Sequence, residues 1–308
     1  MSAIQPSVAQ DRSKQASAPV GGSAPNAVGS VGAPIEYILH LADNAVVLGQ
    51  RNAEWCGHGP ALEEDIALAN MSLDLIGQAR LLYQYAAERI NADPALAAAH
   101  AHLTGARVNG AVTEDTLAYF RDTHEFRNGT LAELPHHGPL AGTAAAVRDY
   151  ATTIVRNFLY SALMVHLWDA LEKSADEVLA GIAAKSLKEA TYHLHHSRDW
   201  LLRLGDGTDE SHARAQAAVD HLVPYTEEFW TPSPAESAAV EAGIGVDVRS
   251  LRGAWDALVN DALAEATLTR PQTRGYVPQG KTGLHSEHLG FLLAEMQSLA
   301  RAHPDGRW

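Results

Sequence analysis

The chain has a single cysteine, Cys56, among its 308 residues. No disulfide can form within the chain, which excludes a small disulfide-stapled secreted fold. No run approaches the roughly 18 apolar residues of a membrane-spanning helix. The N-terminus also lacks the continuous apolar stretch of a signal peptide. These absences predict a cytoplasmic protein without a transmembrane segment.

Positive charge is also scarce. Lys and Arg number 23 against 37 Asp and Glu, which gives a net charge of −14 with histidine neutral. This charge repels phosphate backbones and anionic lipid surfaces at long range, so neither nucleic acid nor a membrane is an expected partner. The net charge does not bear on a local basic pocket for a small anion. Hydrophobic residues at 46% and charged residues at 19% are typical of a globular protein.

Composition divides the chain into two parts. Residues 1–33 are rich in Ala, Ser, Gly, Pro and Gln and contain almost no large apolar side chains. Such a segment buries too little surface to offset the entropy lost on ordering, so we predict a disordered N-terminal tail. Residues 34–308 have apolar side chains at helical spacing and no clear strand pattern. The chain length is compatible with one large domain, and a single helical domain over 34–308 is the simplest interpretation.

The helical pattern predicts a bundle of long helices. A first helix follows Pro34 and ends before Cys56, and a second opens at Pro60. Thr113 is a candidate N-cap of a shorter helix. Further helices are predicted over 143–172, 176–204 (with Gly205 as C-terminal cap), 209–229 (kinked at Pro224), 248–268 and 286–302. The second helix has an apolar stripe at alternating steps of four and three, formed by Leu62, Ile66, Ala69, Leu73, Ile76, Arg80, Tyr83, Ala87 and Ile90.

A second stripe on this helix runs through Leu68, Leu75, Ala79, Leu82 and Ala86. Apolar residues on more than one side predict that the helix lies in the middle of the bundle. The fold class is therefore all-α, a ferritin-like bundle of long helices with additional helices.

Bundles of this type can hold a di-iron or di-manganese centre, with Glu from two helices and Glu-x-x-His from the other two. The sequence departs from that template at identifiable positions. Asp74 supplies a carboxylate on the second helix, but Gly77, three residues later, has no ligand atom. Glu189 is followed three residues later by Tyr192, and His193 falls one residue late. Neither ligand frame is complete.

Alternative metal sites are weaker still. Glu189 and His193 are four apart on one helical face, which allows a mononuclear site but favours a buried hydrogen-bonded pair. His195 and His196 are expected at the surface or in packing. The literal Glu-x-x-His, Glu133 to His136, lies in a proline-containing turn. His285, Glu287 and His288 could contribute to a zinc site, but hydrogen bonds at a helix start are the simpler interpretation.

Four stretches carry a resemblance to a known family: "QRNAEWCGHGPALEEDIALANMSLDLIGQARLL", "EDTLAYFRDTHEFRN", "KEATYHLHHSRDWLLRLGDGTDES" and "GKTGLHSEHLGFLLAEMQSLARAHPDGRW". In these stretches the chain resembles the PaaC-like proteins, a family of phenylacetyl-CoA epoxidase subunits from bacterial phenylacetate degradation. The stretches are long and unusual, and the resemblance covers residues 34–308.

The resemblance implies a ferritin-like subunit of a multicomponent monooxygenase. Its catalytic partner PaaA would hold the di-iron centre, PaaB would act as a small bridging subunit, and the reductase PaaE would supply electrons from NADPH through FAD and an iron-sulfur cluster. The complex would convert phenylacetyl-CoA to its ring 1,2-epoxide with O2. The chain itself would be structural and non-catalytic, with no cofactor of its own.

Three hypotheses follow for the chain. In the first, a structural subunit keeps a buried polar network of Asp74, Arg80, Glu189 and His193 where related subunits hold metal, with Arg80 offsetting carboxylate charge. In the second, the chain is a metal-binding oxygenase in its own right. In the third, it contributes cations to a CoA pocket at a subunit boundary, for which the candidates are Lys185, Lys188, Arg198 and Lys281.

Overall fold

The structure is a computed structural model that describes residues 32–138, 148–273 and 275–306. The predicted disordered tail falls outside this range except for its last two residues, Gly32 and Ala33. Ala33 is buried, and its backbone N–H donates to a carboxylate oxygen of Asp176 at 3.0 Å. Its carbonyl accepts from the guanidinium of Arg89. The described chain is therefore packed into the fold from Ala33, two residues before the first residue of its first helix, Ile35.

The described residues form eleven α-helices and no strand, which confirms the all-α prediction. None of the described helices has the length and apolarity needed to span a membrane. The helices are α1 (Ile35–Ala53), α2 (Leu62–Ala92), α3 (Pro94–Ala99), α4 (Glu114–Tyr119), α5 (Thr130–Glu133), α6 (Tyr150–Leu171), α7 (Glu177–Gly205), α8 (Asp209–Leu222), α9 (Pro234–Glu241), α10 (Arg252–Glu265) and α11 (Glu287–Ala302). Short 3-10 turns cover Thr123–Glu125, Val223–Trp230, Val248–Leu251 and Gly280–Thr282.

Two long helix pairs form the centre of the fold. Helix α1 packs along α2, α6 packs along α7, and α2 also contacts α7. The α1–α2 pair is antiparallel, because Asp43 meets Tyr83 while Gly49 lies against Leu75. Helices α8 and α10 cover α6, and α11 packs against α1, α4 and α5. This arrangement buries the apolar faces of the four long helices against one another and against the shorter helices.

Local sequence signals explain several helix ends. Thr113 caps α4 as predicted, since its hydroxyl accepts from the backbone N–H of Thr116. The predicted helix over 209–229 is divided: α8 ends at Leu222 and a 3-10 turn continues through Pro224, whose ring nitrogen has no hydrogen to donate. Gly205 ends α7 as its last residue, and a Cβ there would collide with the carbonyl oxygen of Ala266.

The placement of α2 differs from the prediction. Its second stripe, including Leu68 and Leu75, is buried against the bundle. The N-terminal half of the first stripe is not: Leu62, Ile66 and Leu73 are 71%, 53% and 66% exposed. The prediction that α2 lies in the middle of the bundle is therefore wrong for this half of the helix, because one apolar stripe already satisfies the contacts that the chain itself makes there.

Candidate functional site

The predicted ligand positions meet where α2 contacts α7. Asp74 and Gln78 are one helical turn apart on α2, and Glu189 and His193 are one turn apart on α7. Nε2 of His193 lies 3.1 Å from Oδ2 of Asp74, and Nε2 of Gln78 donates to Oε2 of Glu189 at 2.9 Å. The matched spacing lets both pairs form together. These four residues are called the polar ladder below.

Protein donors occupy both carboxylate oxygens of Glu189. Gln78 donates to one oxygen, and Nζ of Lys185 lies 3.0 Å from the other across one helical turn. The imidazole of His193 is buried, whereas the Asp74 carboxylate is 38% exposed. The ladder therefore runs from the bundle interior to the surface, and the polar groups in it satisfy one another.

Arg80 is not part of this network. Its side chain is 68% exposed, and its Nε atom lies 3.5 Å from Oε1 of Glu114. At about 100° per residue, position 80 points about 120° away from Asp74 around the helix axis. The prediction that Arg80 lies buried beside Asp74, Glu189 and His193 is therefore wrong. The cation near Glu189 is Lys185, which was predicted only as a candidate for CoA contact.

Gln78 is the ladder residue that the sequence reasoning missed. The di-metal template places the second ligand three residues after Asp74, at Gly77. The inward residue is instead four after Asp74, and Gln78 is buried there. A Cβ built on Gly77 would meet no atom within 4 Å. The signal that could have found Gln78 is the equal spacing of Asp74 to Gln78 and of Glu189 to His193.

A second contact between the same helices involves His196, which the sequence placed at the surface or in packing. Oε2 of Glu64 on α2 accepts hydrogen bonds from the Tyr150 hydroxyl at 2.6 Å and from Nε2 of His196 at 2.8 Å. Burial raises the pKa of Glu64, but these hydrogen bonds outweigh it and lower the pKa below its ordinary value. Glu64 thus links α2 to both α6 and α7 as a carboxylate.

The described residues do not match the donor set of a di-metal centre. Such a centre needs about four carboxylates and two imidazoles directed inward. Within residues 32–138, 148–273 and 275–306, no three His, Cys, Asp or Glu side chains are grouped so that they could hold a metal ion. The buried polar residues of the four long helices are mainly amides and hydroxyls, and they include Asn52, Ser72, Gln78, Asn157, Ser186 and Ser197.

The other histidine clusters make structural hydrogen bonds. Glu133 is buried and accepts from Nδ1 of His285 at 2.7 Å and from the backbone N–H of Ser286 at 2.6 Å, so it ties α5 to the start of α11. Nε2 of His136 donates to the carbonyl oxygen of Arg51 at 2.6 Å. Glu133 and His136 thus bond to different partners, as expected of residues in a turn.

The four candidate CoA-contacting cations do not form one surface group. Lys281, a candidate for CoA contact, is buried, and its ammonium lies 2.9 Å from Oε1 of Glu236 rather than at a surface pocket. Arg198 pairs with two carboxylates of α10. Lys185 pairs with Glu189 of the polar ladder. Lys188 lies on the exposed side of α7.

The two long helix pairs, the all-α composition and the polar ladder between α2 and α7 define the class as a ferritin-like helical bundle. A family model described as "Phenylacetic acid catabolic protein" matches residues 24–308. The C subunit of the 1,2-phenylacetyl-CoA epoxidase of Escherichia coli strain K12 is 44% identical over 272 residues, which cover 88% of this chain and 98% of that protein. The chain belongs to the phenylacetic acid catabolic protein family.

Proposed function

We propose that this chain is a structural subunit of a cytoplasmic phenylacetyl-CoA epoxidase. It supports a catalytic subunit of the PaaA type, which carries the di-iron centre, together with the bridging subunit PaaB. A reductase of the PaaE type supplies electrons from NADPH through FAD and an iron-sulfur cluster. The complex forms the ring 1,2-epoxide of phenylacetyl-CoA with O2, and this chain binds none of the cofactors. The identity to the E. coli epoxidase subunit over nearly all of that protein supports the assignment to such a complex.

The polar ladder is the observation that supports a non-catalytic role. Glu189 and His193, the carboxylate and imidazole of the ligand frame on α7, already have protein partners in Gln78 and Asp74. The amide of Gln78 and the ammonium of Lys185 together stabilise the Glu189 carboxylate, so both of its oxygens have protein partners. The residues therefore do not fit a pair of metal ions, and no step of the reaction is assigned to them.

Metal content tests the proposal first. This chain and the catalytic subunit are purified separately from iron-replete cells, and iron is measured by elemental mass spectrometry. We expect negligible iron in this chain and about two irons per catalytic subunit, the stoichiometry of a di-iron bundle. About two irons in this chain would overturn the structural role and support the alternative of an oxygenase in its own right.

Turnover of the reconstituted complex provides the second test. Phenylacetyl-CoA epoxidation is measured with reductase, NADPH and O2, with and without this chain. We expect omission of the chain to abolish or sharply reduce turnover. The double variant Glu189→Gln with His193→Gln should restore turnover in any complex into which it assembles, because neither side chain takes part in the chemistry. Loss of turnover in a variant complex that assembles normally would contradict the proposal.

A further inference from the structure

A small cavity lies between α1 and α6, separate from the polar ladder. Its volume is about 20 Å³. Its wall includes His40 of α1, Tyr160 and Met164 of α6, and Lys281 of the 3-10 turn before α11. These four residues are buried, so the cavity belongs to the interior of the fold. A buried water molecule needs about 10–15 Å³ of space. The cavity therefore has the size for one water molecule and not for a larger ligand.

The hydroxyl of Tyr160 is a polar wall group without a protein partner. Tyr160 is 5% exposed, and its hydroxyl makes no hydrogen bond to the described residues. Burial alone raises its pKa well above the ordinary value. Buried hydroxyls of folded proteins normally bond to protein or to ordered water, because an unpaired one costs free energy. Tyr37 also lines the cavity, but its hydroxyl has Glu236 and the backbone of Val246 nearby.

His40 and Glu236 supply two more polar atoms at the cavity. Nδ1 of His40 donates to the carbonyl oxygen of Arg127 at 2.7 Å, which leaves Nε2 to bond elsewhere. Nε2 lies 3.7 Å from Oε1 of Glu236, too far for a direct hydrogen bond. Burial raises the pKa of Glu236, but His40, Lys281 and hydrogen bonds to the carboxylate outweigh burial and lower the pKa. The ring nitrogen and the carboxylate oxygen are close enough together to share one small partner.

Two further polar wall residues, Asn44 and Lys281, already have partners. The Asn44 amide donates to the carbonyl oxygen of His40 at 2.8 Å and accepts from the backbone N–H of Gly129 at 2.9 Å. The Lys281 ammonium contacts the Glu236 carboxylate and two backbone carbonyl oxygens. The ammonium disfavours a bound cation and the carboxylate disfavours a bound anion. A neutral molecule that both donates and accepts hydrogen bonds matches the atoms that remain.

We propose that this cavity binds one ordered water molecule, which joins α6 to α1 and α9. The water accepts a hydrogen bond from the Tyr160 hydroxyl and donates to Oε1 of Glu236 and to Nε2 of the neutral His40 ring. It accepts from Nε2 instead when the ring is protonated. About three hydrogen bonds are usual for a buried water. The inference concerns the isolated chain and does not depend on the proposed function.

A high-resolution crystal structure of the full-length wild-type chain tests the site directly. We expect density for one water within about 2.6–3.2 Å of the Tyr160 hydroxyl and of Oε1 of Glu236. A second crystal is pressurised with xenon, which enters dry apolar cavities. We expect no xenon peak at this position. Xenon in the cavity, a cavity without water density in a map that shows other buried waters, or an ion in place of the water would each overturn the proposal.

The unfolding temperature of Tyr160→Phe tests whether the hydroxyl is hydrated. If the water binds there, the substitution removes a hydrogen bond, and we expect unfolding about 2 °C below the wild type in differential scanning calorimetry. If the hydroxyl is buried and unpaired, its removal is neutral or stabilising. An unfolding temperature equal to or above that of the wild type would therefore overturn the proposal.

Tyr276→Phe is the matched control, because Tyr276 is 62% exposed and lies outside the cavity wall. It loses the same hydroxyl group and should unfold within about 0.5 °C of the wild type. An equal decrease in both variants would assign the effect to the loss of any tyrosine hydroxyl and would also overturn the proposal. A decrease in Tyr160→Phe alone, together with the water density, supports it.

Discussion

The imidazole of His193 on α7 and the carboxylate of Asp74 on α2 approach to 3.1 Å across the contact between the two helix pairs. The two residues have unequal environments, since His193 is 3% exposed and Asp74 is 38% exposed. Loss of the carboxylate therefore leaves a buried ring nitrogen without a partner, whereas loss of the imidazole leaves a carboxylate that water can reach. This hydrogen bond holds the α1–α2 pair and the α6–α7 pair in register, and its contribution depends mainly on the buried imidazole of His193.

Asp74→Ala should destabilise the chain by about 1–2 kcal/mol, because it leaves a buried imidazole nitrogen unpaired. Urea unfolding followed by circular dichroism measures the change. His195→Ala, at an exposed position on the same helix as His193, serves as the control and should change stability by less than about 0.5 kcal/mol. Equal stability of Asp74→Ala and the wild type would show that the ladder does not contribute to folding.

His136 should remain neutral well below the ordinary titration range of histidine. Burial and then the charge of Arg156 lower its pKa to about 4, against the opposing effect of Glu54. As pH falls from about 6.5 to 4, the unfolded chain therefore binds a proton that the folded chain does not. This group alone reduces stability over that range, by about 3 kcal/mol in total.

NMR of the imidazole signals checks this expectation directly, because it reports His136 separately from other titrating groups. The His136 signals should not shift between pH 7 and pH 5. His285 serves as an internal contrast: burial lowers its pKa, but the hydrogen bond and charge of Glu133 outweigh burial and raise it. A midpoint for His136 near 6.5 would contradict the buried, uncharged state.

The buried ion pair between Asp43 and Arg121 should be among the most sensitive points of the fold. Nη1 of Arg121 donates to Oδ2 of Asp43 at 3.1 Å, and the Tyr83 hydroxyl donates to Oδ1 at 2.6 Å. Asp43→Asn leaves the arginine charge buried without a carboxylate, and we expect a loss of about 3–5 kcal/mol. Tyr83→Phe removes one neutral donor and should cost about 1 kcal/mol by the same urea measurement. A smaller loss in Asp43→Asn than in Tyr83→Phe would contradict this ranking.

The long helices could be predicted from sequence because their signals are local. Apolar spacing acts within a few residues, and the observed bounds of α1, α2 and α7 follow it closely. The N-cap Thr113 predicted the start of the shorter helix α4 in the same way. The short helices α3, α5 and α9 were not predicted, since one or two turns contain too few positions for a period to be visible.

Residue environments within the candidate site were less predictable because they depend on packing between distant segments. The spacing of Glu189 and His193 favoured a hydrogen-bonded pair, but their partners, Gln78 and Asp74, lie on another helix more than 100 residues away. Arg80 shares the apolar stripe of α2, yet its part of the helix surface is exposed. Periodicity finds the stripes of a helix, and only the tertiary structure decides which stripe is covered.

The environment of Lys281 likewise depends on packing between distant segments. Its ammonium is buried between Glu236 and the carbonyl oxygens of Phe229 and Thr231. Lys281→Met leaves the buried Glu236 carboxylate without its cation and should cost about 3–5 kcal/mol in urea unfolding. Adding Glu236→Gln should recover part of that loss, because the charge left unpaired is then removed.

Lys188→Met is the matched control for this series, since Lys188 lies on the exposed side of α7. It should change stability by less than about 0.5 kcal/mol. Wild-type stability in Lys281→Met would contradict the buried pairing and return Lys281 to the candidate ligands of an acyl-CoA. Reduced acyl-CoA affinity in Lys188→Met, with assembly intact, would instead support a binding role for the surface of α7, because that substitution removes a charge without disturbing the fold.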